Sequence, residues 1–234
     1  NSFHTGEQLD VIRRNNPIAA IAGHWPASLG ARHPGCKLII DCAGPHLLER
    51  FYQSEGEHSA ATLGKIAALD CADAIIVSGK KQRDYFMSFV SRGGRRLSDT
   101  ECKVFELCMP MDPLSPALTR DNGVIDEVSF LFSGIFLPWQ DPSEALKVVS
   151  EEVSRNRKGK LRLIGGNHPT YPIKSKLLEE LFVELEVNPR VIRSGLVPYN
   201  EFLDEVKKCH VALNSMKWNA ERELAIPIRS MTYI

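Results

Sequence analysis

The chain has 234 residues, of which 43% are hydrophobic and 25% are charged. This is the composition of a soluble globular protein. Lysine and arginine together number 29, as do aspartate and glutamate. There is thus no global basic field of the kind that collects nucleic acid, so we expect no nucleic-acid partner and favour chemistry on small molecules or neutral polymers.

The sequence also bears on where the protein works. Its apolar runs are shorter than the roughly 20 residues that span a bilayer, and the first residues lack the basic and apolar regions of a signal peptide. We therefore expect a cytoplasmic protein. Because the chain does not begin with methionine, we also expect it to start inside a longer protein.

The six cysteines form no C-x-x-C pair of the kind found in zinc and redox sites. A chain of this size rarely needs a disulfide framework, so we expect the cysteines to be reduced and mostly buried. His24, His46 and His168 each follow a predicted strand but lack the i, i+4 spacing of a helical metal site. We expect no metal site.

Short apolar runs alternate with helical patterns in the first half of the chain, which is typical of parallel strands joined by crossover helices. Helices are predicted within Pro45–Cys71 and over Lys80–Val90. The predicted strands are Ile18–Gly23, Lys37–Asp41, Asp73–Ser78 and Val104–Leu107.

A proline-rich stretch, Met109 to Pro113, is followed by a polar segment that ends at Asp126. Prolines and polar residues between periodic segments indicate a linker. We therefore predict a first domain over residues 1–112, a linker over 113–127 and a second domain over 128–234.

The second half opens another α/β series. Its predicted helices are Pro142–Arg155, Lys174–Glu186 and Tyr199–Cys209. Its predicted strands are Val128–Gly134, Leu161–Ile164, Arg190–Arg193 and Val211–Asn214.

Ligands of open parallel sheets bind beyond the carboxyl ends of the strands. Glycines at these positions let a ligand approach the backbone, whose N–H groups can hold a pyrophosphate, although each glycine taken alone is more typical of a turn. The candidate binding residues that follow the predicted strands of the second domain are Gly134, Ile135, Phe136, Gly165, Asn167, Leu196, Val197, Pro198, Tyr199 and Asn214.

Several common nucleotide and hydrolase motifs are missing from the sequence. No G-x-G-x-x-G follows a strand, and there is no G-x-x-x-x-G-K-[ST], which disfavours dinucleotide dehydrogenases and P-loop proteins. There is also no G-x-S-x-G nucleophile elbow.

The charged residues Glu221, Arg222 and Glu223 follow the last predicted strand and open a probable helix. At such a place an arginine and backbone N–H groups can neutralise phosphate, while a carboxylate accepts hydrogen bonds from sugar hydroxyls. An exposed, charge-paired helix start explains the same residues equally well.

The order of these segments resembles the retaining glycosyltransferases of the GT-B fold, often called group one. Phe130–Gly134 resembles the first strand and glycine loop of that family's second domain. Leu161–Gly166 resembles its second strand, and Ser194–Pro198 resembles the segment that holds the base. Glu221 matches the first carboxylate of the family's E-x(7)-E motif, but Arg229 stands eight residues later in place of the second glutamate.

The resemblance implies an α/β fold with two Rossmann-like domains, each a parallel sheet flanked by helices, and with both ends of the family's chain missing. We expect such a truncated chain to expose apolar surface and unpaired strand edges.

The implied activity is transfer of a sugar from a nucleoside diphosphate sugar to a hydroxyl of a carbohydrate, lipid-linked or small-molecule acceptor, with retention of configuration. The resemblance implies no metal or other cofactor, and it allows peripheral membrane association. It gives Glu221, Arg222 and Glu223 catalytic roles and assigns the candidate binding residues to the nucleotide sugar. A nucleotide-sugar epimerase of the same fold and a non-catalytic sugar-nucleotide-binding module remain as alternatives.

Overall fold

The computed structural model describes residues 5–53, 58–92, 103–107 and 127–225. By their contacts these residues form two compact units. The first unit contains the described residues up to 107, together with Glu223 to Ala225, and the second contains residues 127–222. The predicted linker, apart from Glu127, lies outside the described residues, as does Arg229.

The first unit is built on a four-stranded parallel sheet with the order β1-β2-β3-β4. Burial alternates along β2 and β3, which places residues such as Leu38, Ile40 and Ile75 in the core. The strands are β1 (Ala19–Ala22), β2 (Lys37–Cys42), β3 (Ala74–Val77) and β4 (Val104–Glu106).

Among the described residues up to 107, five helices connect or flank these strands. The helices between the second and third strands and after the third strand were predicted from the sequence. The two helices nearest the N-terminus were not. The helices are α1 (Thr5–Asn15), α2 (Trp25–Ser28), α3 (His46–Gln53), α4 (Ser59–Cys71) and α5 (Lys80–Arg92).

The second unit is a four-stranded parallel sheet with the order β7-β6-β5-β8. Two apolar clusters cover its faces, one around Phe132, Phe136 and Leu163 and the other around Leu131, Ile164 and Val206. The strands are β5 (Val128–Phe136), β6 (Gly159–Asn167), β7 (Val191–Ser194) and β8 (Val211–Leu213).

Four helices lie within the described residues 127–225. The ends of three of them agree with the predicted ends to within two residues. None of the helices among the described residues is long and apolar enough to cross a bilayer. The helices are α6 (Ser143–Asn156), α7 (Lys176–Val187), α8 (Tyr199–Lys207) and α9 (Ala220–Leu224).

The expected α/β architecture with two parallel sheets is confirmed. Of the cysteines within the described ranges, Cys36, Cys42 and Cys209 are buried, Cys71 is partly buried, and none of these four is in a disulfide. The expectation of reduced, mostly buried cysteines is confirmed for these four.

The central strands of the second sheet are longer than predicted. β5 continues through Phe136 and β6 through Asn167, and the two extensions pair with each other in register. The sequence analysis ended both strands near a glycine, because glycine usually marks a turn. Here Gly134 and Gly165 pair within the sheet instead.

Candidate functional site

The carboxyl ends of three neighbouring strands come together at one edge of the second sheet. Phe136 pairs with Asn167 across β5 and β6, and Ile164 pairs with Ser194 across β6 and β7. The amide of Gly165 donates to the carbonyl of Gly195 at 3.2 Å. The segments that were predicted to bind ligand from these strands therefore lie side by side.

Gly134 and Gly165 approach each other very closely within this edge. Both have positive φ, 138° for Gly134 and 109° for Gly165, a region that side-chain-bearing residues rarely adopt. A β-carbon on Gly165 would lie 2.1 Å from the carbonyl oxygen of Gly134. These two glycines are therefore required by the packing of backbone against backbone, whether or not a ligand binds.

Gly166 and Gly195 are different, because a β-carbon on either would meet no atom within 4 Å. Gly195 borders a cavity of about 420 Å³. The cavity is also lined by Gly165, Ser194, Leu185, Glu186, Val191 and Arg193. The backbone at Gly195 is therefore open to a ligand in this cavity.

Arg193 and Glu186 bring opposite charges to the wall of this cavity. The Arg193 guanidinium pairs with the Glu186 carboxylate at 2.6 Å and lies over the ring of Phe182, 4.7 Å from the ring centre. The arginine side chain is 31% exposed. The sequence analysis missed it because its position, inside a short strand, resembles that of any half-buried strand residue.

The predicted binding residues after β5 differ in their access to solvent. Ile135 is partly exposed, whereas Phe136 is fully buried, with its ring stacked on Phe182 at 5.7 Å. The Phe136 side chain is thus part of the core, and its predicted role in nucleotide-sugar binding stays a prediction that falls to its backbone. A strand alternates its faces, and the longer β5 directs Phe136 into the core.

The segment Leu196 to Tyr199 connects β7 to α8. Leu196 is 77% and Tyr199 63% exposed, and Val197 packs against the apolar cluster around Ile164. The carbonyl of Pro198 accepts a hydrogen bond from the amide of Phe202 at 3.0 Å. The large side chains of Leu196 and Tyr199 are thus exposed to solvent in the segment that follows Gly195.

Asn167 and His168 organise the turn that follows β6. The Asn167 side-chain oxygen accepts a hydrogen bond from the amide of Ile173 at 3.3 Å. Nδ1 of His168 accepts from the amides of Thr170 and Tyr171, both at 3.1 Å. Because Nδ1 is used as an acceptor, Nε2 is the nitrogen through which His168 can donate to a ligand.

The chain after β8 is fastened to the loop after β5. The amide of Lys217 donates to the Asp141 carbonyl at 2.8 Å, and the Asn219 side chain donates to the Trp139 carbonyl at 2.9 Å. Asn214, at the end of β8, is half-buried. β8 pairs with β5 on the side away from β6, so Asn214 follows a strand on the far side of β5 from the cavity.

Glu221 is buried, with a relative exposure of 1%. Both of its carboxylate oxygens accept from the guanidinium of Arg222, at 2.6 and 2.7 Å. The amide of Arg222 donates to the Asn219 side chain at 3.0 Å. Glu221 is thus charge-paired, as the alternative interpretation of this helix start has it, although the pair is buried rather than exposed, and its catalytic role stays a prediction.

Glu223 does not join this pair. Its contacts group it with the first unit, where its carboxylate accepts from Lys81 at 2.9 Å and stays half exposed. The three residues predicted to act together are thus divided into a buried pair, Glu221 with Arg222, and an exposed pair, Glu223 with Lys81. Among the residues that the structure describes, no group of three or more His, Cys, Asp or Glu side chains could hold a metal ion.

The first unit has a polar cluster that the sequence analysis did not predict. Lys65 on α4 is fully buried, and burial lowers the pKa of its amine to about 7. Burial also lowers the pKa of His24 to about 3, helped by the positive charges of His46, Arg50 and Lys65. Burial raises the pKa of the Cys42 thiol to about 12.

No protein-family model and no curated protein sequence matches the chain. Solved structures do match. Sucrose-phosphate synthase from Thermosynechococcus elongatus superposes with a TM-score of 0.62 at 14% identity, over 92% of this chain and 55% of the synthase.

Two further structures extend the comparison. The pneumococcal O-GlcNAc transferase GtfA, in complex with UDP and GlcNAc, gives a TM-score of 0.57 at 11% identity over 89% of this chain and 40% of that one. A UDP-N-acetylglucosamine 2-epimerase from Listeria monocytogenes gives 0.53 at 13% identity, over 89% and 54%.

The chain therefore spans about half the length of the proteins that it matches. At these identities the likeness concerns the fold. With its two parallel sheets and flanking helices, the chain has the Rossmann-like fold of the GT-B glycosyltransferases.

Proposed function

We propose that the chain is part of a glycosyltransferase that moves a sugar from a nucleoside diphosphate sugar to an acceptor hydroxyl. The observation that carries the proposal is the cavity along the edge strand β7, which reaches the carboxyl end of that strand at Ser194 and Gly195, where the backbone is open. Parallel sheets bind nucleotides beyond the carboxyl ends of their strands. The fold shared with nucleotide-sugar enzymes supports the same assignment.

The chemistry of the leaving group explains what the site must supply. Transfer breaks the bond between the anomeric carbon and a diphosphate oxygen, so negative charge grows on the diphosphate. Fixed backbone amides and an arginine stabilise such charge best where water is excluded. We assign the diphosphate to the backbone near Gly166 and Gly195, with Arg193 as the nearest cation in the cavity wall.

We assign the base of the nucleotide to Leu196 and Tyr199, because their side chains are exposed in the segment that follows Gly195. The neighbour solved with UDP makes uridine the first base to test. Retention of configuration, a carbohydrate, lipid-linked or small-molecule acceptor, and a domain boundary within 113–127 are parts of the same proposal that rest on sequence resemblance.

An epimerase is the second candidate, and the neighbouring 2-epimerase is the observation that favours it. The two enzymes differ in what becomes of the donor. A transferase releases nucleoside diphosphate in proportion to the glycoside formed, whereas an epimerase returns an isomer of the intact nucleotide sugar.

The experiment is to incubate the protein with UDP-glucose and UDP-N-acetylglucosamine, together with a mixture of sugar acceptors. Free UDP is measured by chromatography and the anomeric configuration of any product by proton NMR. UDP release with an α-linked product from these α-linked donors supports a retaining transferase. An isomerised donor without UDP release supports the epimerase. Failure of both donors and of UDP to raise the melting temperature contradicts the proposal.

A further inference from the structure

A buried amine lies between two helices of the first unit. Lys65 belongs to α4, and its side chain is fully buried. The rings of Tyr85, Phe86 and Phe89 belong to α5, and the centre of each lies 4.4 Å or less from Nζ of Lys65. The aromatic side of α5 therefore covers the amine whenever α5 is packed against α4.

The amine is poorly satisfied inside this enclosure. Nζ of Lys65 has no hydrogen-bond partner among the described residues, whereas an ammonium group carries three donors. Ring faces attract a cation, but they replace only part of the hydration that burial removes. The neutral amine is therefore favoured while α5 is packed, and the charged amine is favoured once α5 moves away and water reaches Nζ.

The same side of α5 also holds two loops of the first sheet. Gln82 is buried and lies one helical turn before Phe86. Its side-chain oxygen accepts a hydrogen bond at 3.0 Å from the amide of Ser78, the residue after β3. Its side-chain nitrogen donates at 3.5 Å to the carbonyl of Ala43, the residue after β2. A movement of α5 that uncovers Lys65 therefore also breaks both of these hydrogen bonds.

Other titratable groups face Lys65 from the elements around it. Burial lowers the pKa of His24, which precedes α2, to about 3, and raises the pKa of Cys42, at the end of β2, to about 12. Burial also raises the pKa of the Tyr85 phenol. Each of these three groups therefore keeps a single charge state in the folded protein from pH 6 to 9.

Further charged groups act on these three neighbours, whereas the neighbour whose charge acts on Lys65 is Cys42. The His46 ring, for example, stacks on that of His24, with the ring centres 3.4 Å apart. The groups that act on the neighbours are Asp41, His46, Glu49 and Arg50. A comparison of the wild type with Lys65→Met at equal pH therefore isolates the effect of the amine.

We propose that Lys65 is a pH-dependent release for α5: when its amine takes up a proton, α5 leaves α4 locally and frees the residues after β2 and β3 from Gln82. The open state binds one more proton than the closed state while the closed amine is neutral, so opening becomes more frequent as the pH falls. The pKa of Lys65 is lowered from 10.5 to about 7, so this dependence extends from about pH 10.5 down to 7 and levels off below. The release does not depend on the proposed transfer activity.

The test is amide hydrogen exchange of the full chain at pH 7, 8 and 9, corrected for the intrinsic dependence of exchange on pH. In the wild type we expect the protection of the α5 amides to rise roughly five- to tenfold per pH unit. Residues 43–44 and 78–79 should follow α5, and β5 in the second unit should not. Lys65→Met should show no such rise, because methionine binds no proton.

Lys80→Met is the matched control, since Lys80 is an exposed lysine of the same helix, and it should keep the wild-type pH dependence. A wild type whose α5 protection does not change with pH overturns the proposal, as does a Lys65→Met protein that keeps the dependence. An equal pH dependence of α5 and of β2 also overturns it, because the whole first unit would then unfold together.

Discussion

The ammonium nitrogen of Lys65 lies 3.9 Å from the centre of the Phe89 ring. The rings of Tyr85 and Phe86 surround it at 4.1 and 4.4 Å, and it has no hydrogen-bond partner among the described residues. Ring faces favour the charged amine, but complete burial opposes it more strongly and lowers the pKa of Lys65 from 10.5 to about 7.

Lys65→Met should therefore stabilise the protein at neutral pH. Between about pH 7 and 10.5 the unfolded chain binds a proton at Lys65 that the folded chain does not bind, so wild-type stability from this group rises with pH. We expect a gain of roughly 2–4 kcal/mol at pH 7 for the methionine variant, shrinking towards pH 10. Urea unfolding of both proteins from pH 6 to 10 measures the difference.

The difference between variant and wild type removes the contribution of the Tyr85 phenol, whose pKa burial raises in both proteins. Lys65→Arg is the contrasting variant, because its guanidinium cannot become neutral, and it should lose stability. A methionine variant that is less stable than wild type at pH 7 would contradict this account of Lys65.

Gly165→Ala and Gly195→Ala form a matched pair that separates packing from binding. Alanine at 165 would place its β-carbon against the Gly134 carbonyl at a positive φ, which we expect to cost about 3 kcal/mol or more. Alanine at 195 meets open space and should leave the melting temperature nearly unchanged. UDP titration of the Gly195 variant should show weaker binding, and equal stability of the two variants would refute the distinction.

Glu221→Ala should destabilise the fold. Removing the carboxylate leaves the Arg222 guanidinium, only 13% exposed, without its partner, and breaking a buried pair typically costs about 3–5 kcal/mol. The double variant Glu221→Leu with Arg222→Leu should recover much of this loss, because it leaves no uncompensated charge. Chemical denaturation of the three proteins tests the coupling. A Glu221→Ala protein that keeps full stability but loses transfer activity would restore the catalytic role expected from the sequence.

Tyr199→Ala should weaken nucleotide binding without affecting the fold. The ring is 63% exposed, so its removal costs little stability, whereas a lost stacking contact is worth about 1 kcal/mol, or roughly fivefold in affinity. Isothermal titration with UDP measures it. Tyr52→Ala, in the first unit, is the control and should bind UDP like wild type, while unchanged affinity of the Tyr199 variant would remove the base from this segment.

The parallel sheets were the part of the fold that the sequence predicted best. The neighbours Leu131 and Phe132 are both fully buried and belong to different apolar clusters, and strands that are buried on both faces are typical of parallel sheets. Strand ends were predicted less well. The predicted strands end at Gly134 and just before Gly165, because a sequence does not reveal that two glycines will pair with each other inside a sheet.

The candidate site was harder to predict than the fold. The sequence allowed Glu221 to be either a sugar-binding carboxylate or part of an exposed, charge-paired helix start. It did not predict the buried pair with Arg222, since adjacent Glu and Arg side chains on a helix do not usually face each other. Lys65 follows a helical pattern like that of an exposed lysine, and its burial depends on the three aromatic rings of α5. The stacking of His24 on His46 depends on the pairing of β1 with β2. Each of these contacts joins residues whose approach is decided by tertiary structure.

The contact between Gly134 and Gly165 also restricts how this protein can diverge. A side chain at residue 165 would meet the Gly134 carbonyl, and Gly134 has a φ of 138° that side chains rarely allow. A substitution at either position cannot be rescued by shrinking the other, which already has no side chain to lose. Among homologues, the two positions should be retained together or replaced together with a change in strand register. Glycine at both positions can therefore help to identify relatives of this chain whose overall sequence identity is too low for detection.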